Sequence, residues 1–291
     1  MEKKITKRFI KNNLPKRPVN ANKGTMGTLL SITGSYGMAG ASVLSSLASL
    51  KSGVGLLKVG VVKSIYEIVA KDVTEGVFIP LFEDSDGTIS IKETDHLIDE
   101  SKKASAVLIG CGIRDVENTR KLVNEFVKNC EVPLIIDADG LNALSHDLSV
   151  LENSKCQIVL TPHLKEMGRL IDKDVEFVKK HKKQIAIEFT KKYTNVTLVL
   201  KDYNTIVSNN GDVYINYTGN SGMAKGGSGD VLSGILSSLV AQKVDPFIAS
   251  RLAVYIHGLS GDIAKEKLTD ISMLPRDIIK CLSFAYKEIQ K

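Results

Sequence analysis

Short apolar runs alternate with stretches of helical spacing along most of this chain. Residues 28–33 form a β-rich run, and residues 39–50 then place Val43, Leu44, Leu47 and Leu50 at helical spacing. Further strand candidates lie at 56–62, 77–82, 106–110, 134–137 and 158–161. A short helix near 65–70 and amphipathic stretches at 119–130 and 175–192 lie among them. Strands separated by helical patterns predict βαβ units and a parallel sheet. The pattern then changes. Residues 197–201, 205–208 and 213–217 are three closely spaced strands, with the hairpin signal Asn209-Asn210-Gly211 between the last two. Helices are expected at 231–241, 246–266 and 275–290. No repeat, low-complexity segment or linker divides the sequence, so one α/β domain over residues 1–291 is expected, a central, mostly parallel sheet with helices on both faces.

Composition narrows the core. The chain is 43% hydrophobic but has only 8 Tyr, 8 Phe and no Trp, so small aliphatic side chains must fill a sheet buried on both faces. Charge narrows the partners. Residues 1–23 carry Lys3, Lys4, Lys7, Arg8, Lys11, Lys16, Arg17 and Lys23 against Glu2, a local +7 within a net +6. The remainder is nearly neutral, which argues against a nucleic-acid-binding face. The basic segment is expected to be solvated, with covering the site or packing on a neighbouring subunit as alternatives. No apolar run approaches the ~20 residues of a membrane span, and no apolar leader opens the chain. Cys111, Cys130, Cys156 and Cys281 are widely spaced and read as buried thiols in a reducing, cytoplasmic setting.

Two glycine loops are candidates for ligand contact. Gly34-Ser35-Tyr36-Gly37-Met38-Ala39-Gly40 follows a strand, but its spacing and the Gly at position 60 do not fit a dinucleotide fingerprint. It reads equally as a tight turn or a ligand-facing loop. The second loop is richer: Gly219-Asn220-Ser221-Gly222-Met223-Ala224-Lys225-Gly226-Gly227-Ser228-Gly229-Asp230-Val231-Leu232. Its glycines expose backbone N–H groups at a helix start, where the dipole favours an anion such as phosphate. Asp230 is either a helix N-cap or a carboxylate placed to orient a hydroxyl against a phosphoryl group.

This segment resembles the NAD(P)H-hydrate dehydratase family, a branch of the ribokinase-like superfamily, whose pattern runs G-N-x-G-M-A-x-G-G-[ST]-G-D-V-L-x-G. Four other segments agree in order: Lys23-Gly24-Thr25-Met26-Gly27, the loop and helix over 34–55, Ile136-Asp137-Ala138-Asp139-Gly140-Leu141-Asn142-Ala143-Leu144, and Thr161-Pro162-His163-Leu164-Lys165-Glu166-Met167. The resemblance covers residues 23–242. It implies a ribokinase-like fold and nucleotide-dependent dehydration of hydrated NADH or NADPH, by phosphorylation of the ring hydroxyl and loss of phosphate.

By the same resemblance Asp230 is the catalytic base. Ala41, Gly112, His163 and Asp230 would contact the hydrated nicotinamide nucleotide. Lys201, Asp202, Tyr203, Asn204, Thr205, Gly227, Ser228 and Gly229 would contact ADP or ATP. Mg²⁺ is the implied metal, with Glu166 a water-mediated ligand or simply a first-turn helix residue. A homotetramer is implied, and ADP use by likeness to compact bacterial members. His163 with Asp230 favours this branch over related thiazole and pyrimidine kinases. Two residues depart from the family: Cys111 stands where Pro is usual, and Lys225 where Thr is commoner, facing either phosphate or solvent. Asp137 and Asp139 would face the same way on an extended strand, as a carboxylate pair or as loop and cap groups. Lys51, Lys58 and residues 179–183 read as solvated. A kinase releasing a stable phosphoester and a non-catalytic nucleotide-binding module are the competing functions.

Overall fold

The computed structural model describes residues 3–291. Its centre is a ten-stranded sheet. In chain order the first half comprises β1 (Lys3–Lys4), α1 (Lys7–Asn13), β2 (Thr28–Ile32), α2 (Ala39–Lys51), β3 (Leu56–Val62), α3 (Lys63–Asp72), β4 (Val77–Leu81), α4 (Thr94–Ser101) and β5 (Ala106–Ile109). There follow α5 (Glu117–Asn129), β6 (Leu134–Ile136), α6 (Asp139–Leu144), α7 (Ser149–Glu152), β7 (Ile158–Leu160), α8 (Leu164–Ile171) and α9 (Val175–Lys192). The chain closes with β8 (Val196–Leu200), β9 (Ile206–Asn209), β10 (Asp212–Ile215), α10 (Ser228–Ala241), α11 (Pro246–Lys267) and α12 (Pro275–Gln290).

The strand order is β1-β10-β9-β8-β7-β6-β5-β2-β3-β4. Every neighbouring pair is parallel except those made by β9 with β8 and β10. Strands β5 to β8 are buried at every residue, which explains their unbroken apolar runs: helices cover both faces. The chain builds outward from β2 through β3 to β4, then returns to place β5 on the other side of β2. Two successive connections therefore diverge at the carboxyl ends of β2 and β5, and such a switch point opens a crevice for ligands. The hairpin signal is also realised. Asn210 and Gly211 take φ of 46° and 82° between the paired Asn209 and Asp212, as a two-residue type I′ turn requires.

The basic N-terminal segment departs from expectation. It is not simply solvated; its charges are exposed while Ile5 and Ile10 are buried and anchor the chain. β1 pairs with β10, Thr6 caps α1, and Ile10 is fully buried. The Arg251 guanidinium lies 4.2 Å from the Phe9 ring centroid, 4.5 Å from Tyr214 and 4.3 Å from Phe247, locking α1 to β10 and α11. Lys3 and Lys7 pair with Asp212 and Glu288. Lys58 is likewise not a solvated residue: it pairs with Glu100 at 2.7 Å, both largely shielded.

Candidate active site

The Gly226–Asp230 loop opens α10, but Asp230 does not cap it. Gly227 is the N-cap, held at φ +97°, and no side chain closes this helix end. A Cβ at Gly227 would lie 2.6 Å from the Leu44 side chain, so both conformation and space call for glycine. The exposed N–H groups of the first turn remain available to an anion. The Ser228 hydroxyl, buried beside them, has no hydrogen-bond partner. Lys201 completes this cradle: a Cβ on Gly229 would sit 3.4 Å from its Nζ.

Lys201 is held by a buried network. Its Nζ donates to Asp137 Oδ1 at 2.7 Å and lies 4.0 Å from Glu166. Asp137 also accepts from Thr161 and Ser233, each at 2.7 Å. Burial alone would raise the Asp137 carboxyl, but Lys201 and the two hydroxyls bring it below the usual carboxylate range. Lys201 in turn is held above its ordinary value, as Asp137 and Glu166 outweigh its desolvation. Asp230 has no such cation of its own. Desolvation, reinforced by the Asp137 charge, pushes it up to about 7, with Cys111 and Lys201 opposing. One carboxylate is thus fixed as an ion while the other is poised to take a proton near neutrality.

Of the two readings of Asp137 and Asp139, the carboxylate pair on one face of a strand does not form. β6 ends at Ile136, Ala138 takes φ 51°, and Asp139 opens α6. Asp139 accepts from the Arg114 backbone at 2.8 Å, a loop-and-cap role, while Asp137 turns inward. Glu166 is the first-turn residue of a capping box at the start of α8. Its Oε2 accepts from the His163 N–H at 2.8 Å and its Oε1 lies 3.3 Å from His163 Nε2. His163 Nδ1 accepts from the N–H groups of Lys165 and Glu166, so its ring proton belongs on Nε2. Burial and Lys201 lower the His163 pKa, favouring the neutral ring.

These groups surround a cavity of about 1080 Å³ at the carboxyl edge of the sheet. Ala41, Gly112 and His163 line it with Gly227, Ser228, Gly229 and Asp230, and Lys201, Asp202, Tyr203 and Thr205 line it after β8. Asn204 shares that turn but is not on the cavity wall. Lys182, expected to be solvated, pairs with Asp202 and lies 5.4 Å from the Tyr203 ring centroid, steadying the turn. Lys225 borders the cavity, with its Nζ bound to backbone carbonyls. Its Nζ donates to the carbonyls of Ile271 at 2.6 Å and Met273 at 2.7 Å, fastening the glycine loop to the chain before α12.

A family model described as NAD(P)H-hydrate dehydratase matches residues 29–283. The chain belongs to the NAD(P)H-hydrate dehydratase family. The match extends beyond the sequence motifs into α12. A bifunctional NAD(P)H-hydrate repair enzyme of Moorella thermoacetica is 34% identical over 99% of this chain, which spans 54% of that relative's length. An ADP-dependent (S)-NAD(P)H-hydrate dehydratase of Neisseria meningitidis is 33% identical over 86% of this chain and 81% of its own. Among solved structures, the ADP/ATP-dependent dehydratase of Bacillus subtilis, co-crystallised with ATP and Mg²⁺, superposes with a TM-score of 0.83 at 25% identity and 99% coverage of both chains. The fold is that of the ribokinase-like dehydratases.

Three site residues were not legible in the sequence. Ser233 lies one turn after Asp230 and looks like any helix serine. Asp262 binds the glycine loop through Gly219 N at 2.9 Å and Asn220 Nδ2 at 3.0 Å, from more than 40 residues away. His257 lines the cavity with an unpartnered Nε2, its pKa lowered to about 4 by burial and by Lys201. Only the burial of a helix histidine against the loop marks it, and that is invisible before folding.

Proposed function

We propose that this chain dehydrates hydrated NADH or NADPH at the expense of ADP or ATP, restoring the reduced cofactor. The observation that carries the reading is Asp230. It is released from capping, held near neutrality in its proton affinity, and set beside an anion cradle whose Ser228 hydroxyl lacks a partner.

On this reading Asp230 takes the proton of the ring hydroxyl as its oxygen attacks the terminal phosphorus of the nucleotide. The phosphoanhydride bond breaks and its electron pair leaves on AMP or ADP. The first-turn N–H groups, Ser228 and Lys201 stabilise the transferring phosphoryl group. Phosphate then departs with the C–O bonding pair, and loss of a neighbouring ring proton forms the double bond. Ala41, Gly112 and His163 position the nicotinamide nucleotide, and Asp202, Tyr203 and Thr205 the adenine nucleotide.

Glu166 does not suit direct metal coordination, because both its oxygens face His163. Mg²⁺ accordingly arrives with the nucleotide, neutralising its phosphates. We place the reaction in the cytoplasm, where the four free buried cysteines are stable as thiols, and expect a homo-oligomer, a tetramer by family likeness.

Phosphorus NMR of the reaction mixture tests this. Inorganic phosphate should appear in step with AMP or ADP; a persistent phosphomonoester would instead make the chain a small-molecule kinase.

A further inference from the structure

We propose that Asp262 is a positioning residue for nucleotide binding: its carboxylate fixes the orientation of the Asn220 amide, and through it the loop that ends in the anion cradle. The role rests on the nucleotide-dependent reading above and deepens it. Asp262 lies on α11, and small residues beside it let the loop come close. A Cβ at Gly261 would lie 2.3 Å from Met223 Sδ, and one at Gly258 2.3 Å from Thr218 Oγ1. Thr218 Oγ1 donates to the Tyr255 carbonyl at 3.0 Å, and Asn216 Nδ2 to the Val254 carbonyl at 3.2 Å. α11 is thus the wall against which residues 216–223 are set.

Three hydrogen bonds run from α11 into the loop. Asp262 Oδ2 accepts from the Gly219 N–H at 2.9 Å, and Oδ1 accepts from Asn220 Nδ2 at 3.0 Å. On the other side of the same amide, Asn220 Oδ1 accepts from the Gly222 N–H at 3.0 Å and caps a 3₁₀ turn over Ser221–Met223. Donors and acceptors can alternate here in only one way. The two backbone N–H groups only donate and the carboxylate only accepts, so the amide nitrogen faces Asp262 and its oxygen faces Gly222. Backbone bonds carry this order on to the cradle. The N–H groups of Met223, Ala224, Lys225 and Ser228 donate to the carbonyls of Asn220, Ser221, Met223 and Lys225, at 3.2, 3.1, 2.8 and 3.2 Å. Asn220, Ser221, Met223 and Ala224 line the cavity, and Asp262 does not. A change at Asp262 therefore reaches a ligand through the loop.

An amide at position 262 breaks the alternation. In Asp262→Asn the new side chain can accept from Gly219 only by turning its nitrogen toward that of Asn220. If Asn220 then turns over, two donors meet at Gly222. One bond is lost in either case. Adding Asn220→Asp restores all three: the amide now at 262 accepts from Gly219 and donates to the carboxylate now at 220, whose other oxygen accepts from Gly222.

The test is a double-mutant cycle on the full chain, read by calorimetry with ADP and with ATP, by hydrogen exchange of the Gly222 amide and by melting temperature. Asp262→Asn should raise the nucleotide Kd about tenfold, the worth of one hydrogen bond. Asn220→Asp, which sets two carboxylates face to face, should raise it by at least as much. The double variant should return to within about threefold of wild type, a coupling that independent sites do not show. Exchange at Gly222 should quicken in Asp262→Asn and slow again in the double variant. Additive losses in the double variant overturn the proposal, as does a double variant that melts below Asp262→Asn. An unchanged Kd in Asp262→Asn, even beside a lowered melting temperature, makes Asp262 merely structural and overturns it too. If wild-type protein does not dehydrate hydrated NADH, the functional reading fails, while Gly222 exchange and the melting temperatures still decide whether Asp262 orders the loop.

Discussion

Two carboxylates a few ångströms apart have opposite assignments, and the difference is local. Asp137 has a cation and two hydroxyls, and Asp230 has desolvation and a negative neighbour. Activity should therefore rise with pH through about 7, as Asp230 loses its proton, and a pH–kcat profile measures this directly. Asp230→Asn should abolish turnover yet retain nucleotide binding. It should also stabilise the fold. The folded-state pKa is raised, so the penalty for charging Asp230 is complete above about pH 7 and absent below about pH 4. The gain is on the order of 2 kcal/mol at pH 8 after allowance for solvent screening, seen as a higher melting temperature there and none at pH 4. Lys201→Ala should act the other way, costing about 3 kcal/mol because Asp137 is left charged and buried; adding Asp137→Asn should return part of it. Asp230 was legible because the Gly-Ser-Gly-Asp string marks a helix opening. The partners of Asp137 were not, because they come from just beyond β7 and β8 and from α10, which only the fold brings together.

At the scale of elements, long apolar patterns were read nearly to the residue. The strand over 56–62 and the helices over 175–192 and 275–290 form as expected, although α9 is broken at His181 (φ −117°). Short helices escaped, since α1, α6 and α7 contain only 7, 6 and 4 residues and so too few apolar repeats to show a period. The opening of α10 carries the proposed anion cradle. Gly227→Ala should impose about 1–2 kcal/mol of backbone strain and weaken nucleotide binding, measurable by calorimetry, more than it lowers the melting temperature.

Over the whole molecule, the fold class followed from the alternation of strand and helix. The N-terminal segment did not, because dense lysines hid Phe9 and Ile10 and because their partners, Arg251 and β10, lie more than 200 residues away. Ile10→Ala should cost about 2–4 kcal/mol in stability while leaving the KM for nucleotide unchanged, since α1 packs on α11 and α12 and lines no part of the cavity. The central claim concerns that cavity, and one assay tests it most directly: purified protein with hydrated NADH, Mg²⁺ and either ADP, ATP or no nucleotide. Absorbance of the reduced nicotinamide should return only with nucleotide, and not with Asp230→Asn. No recovery with either nucleotide, or equal recovery by Asp230→Asn, would contradict the account.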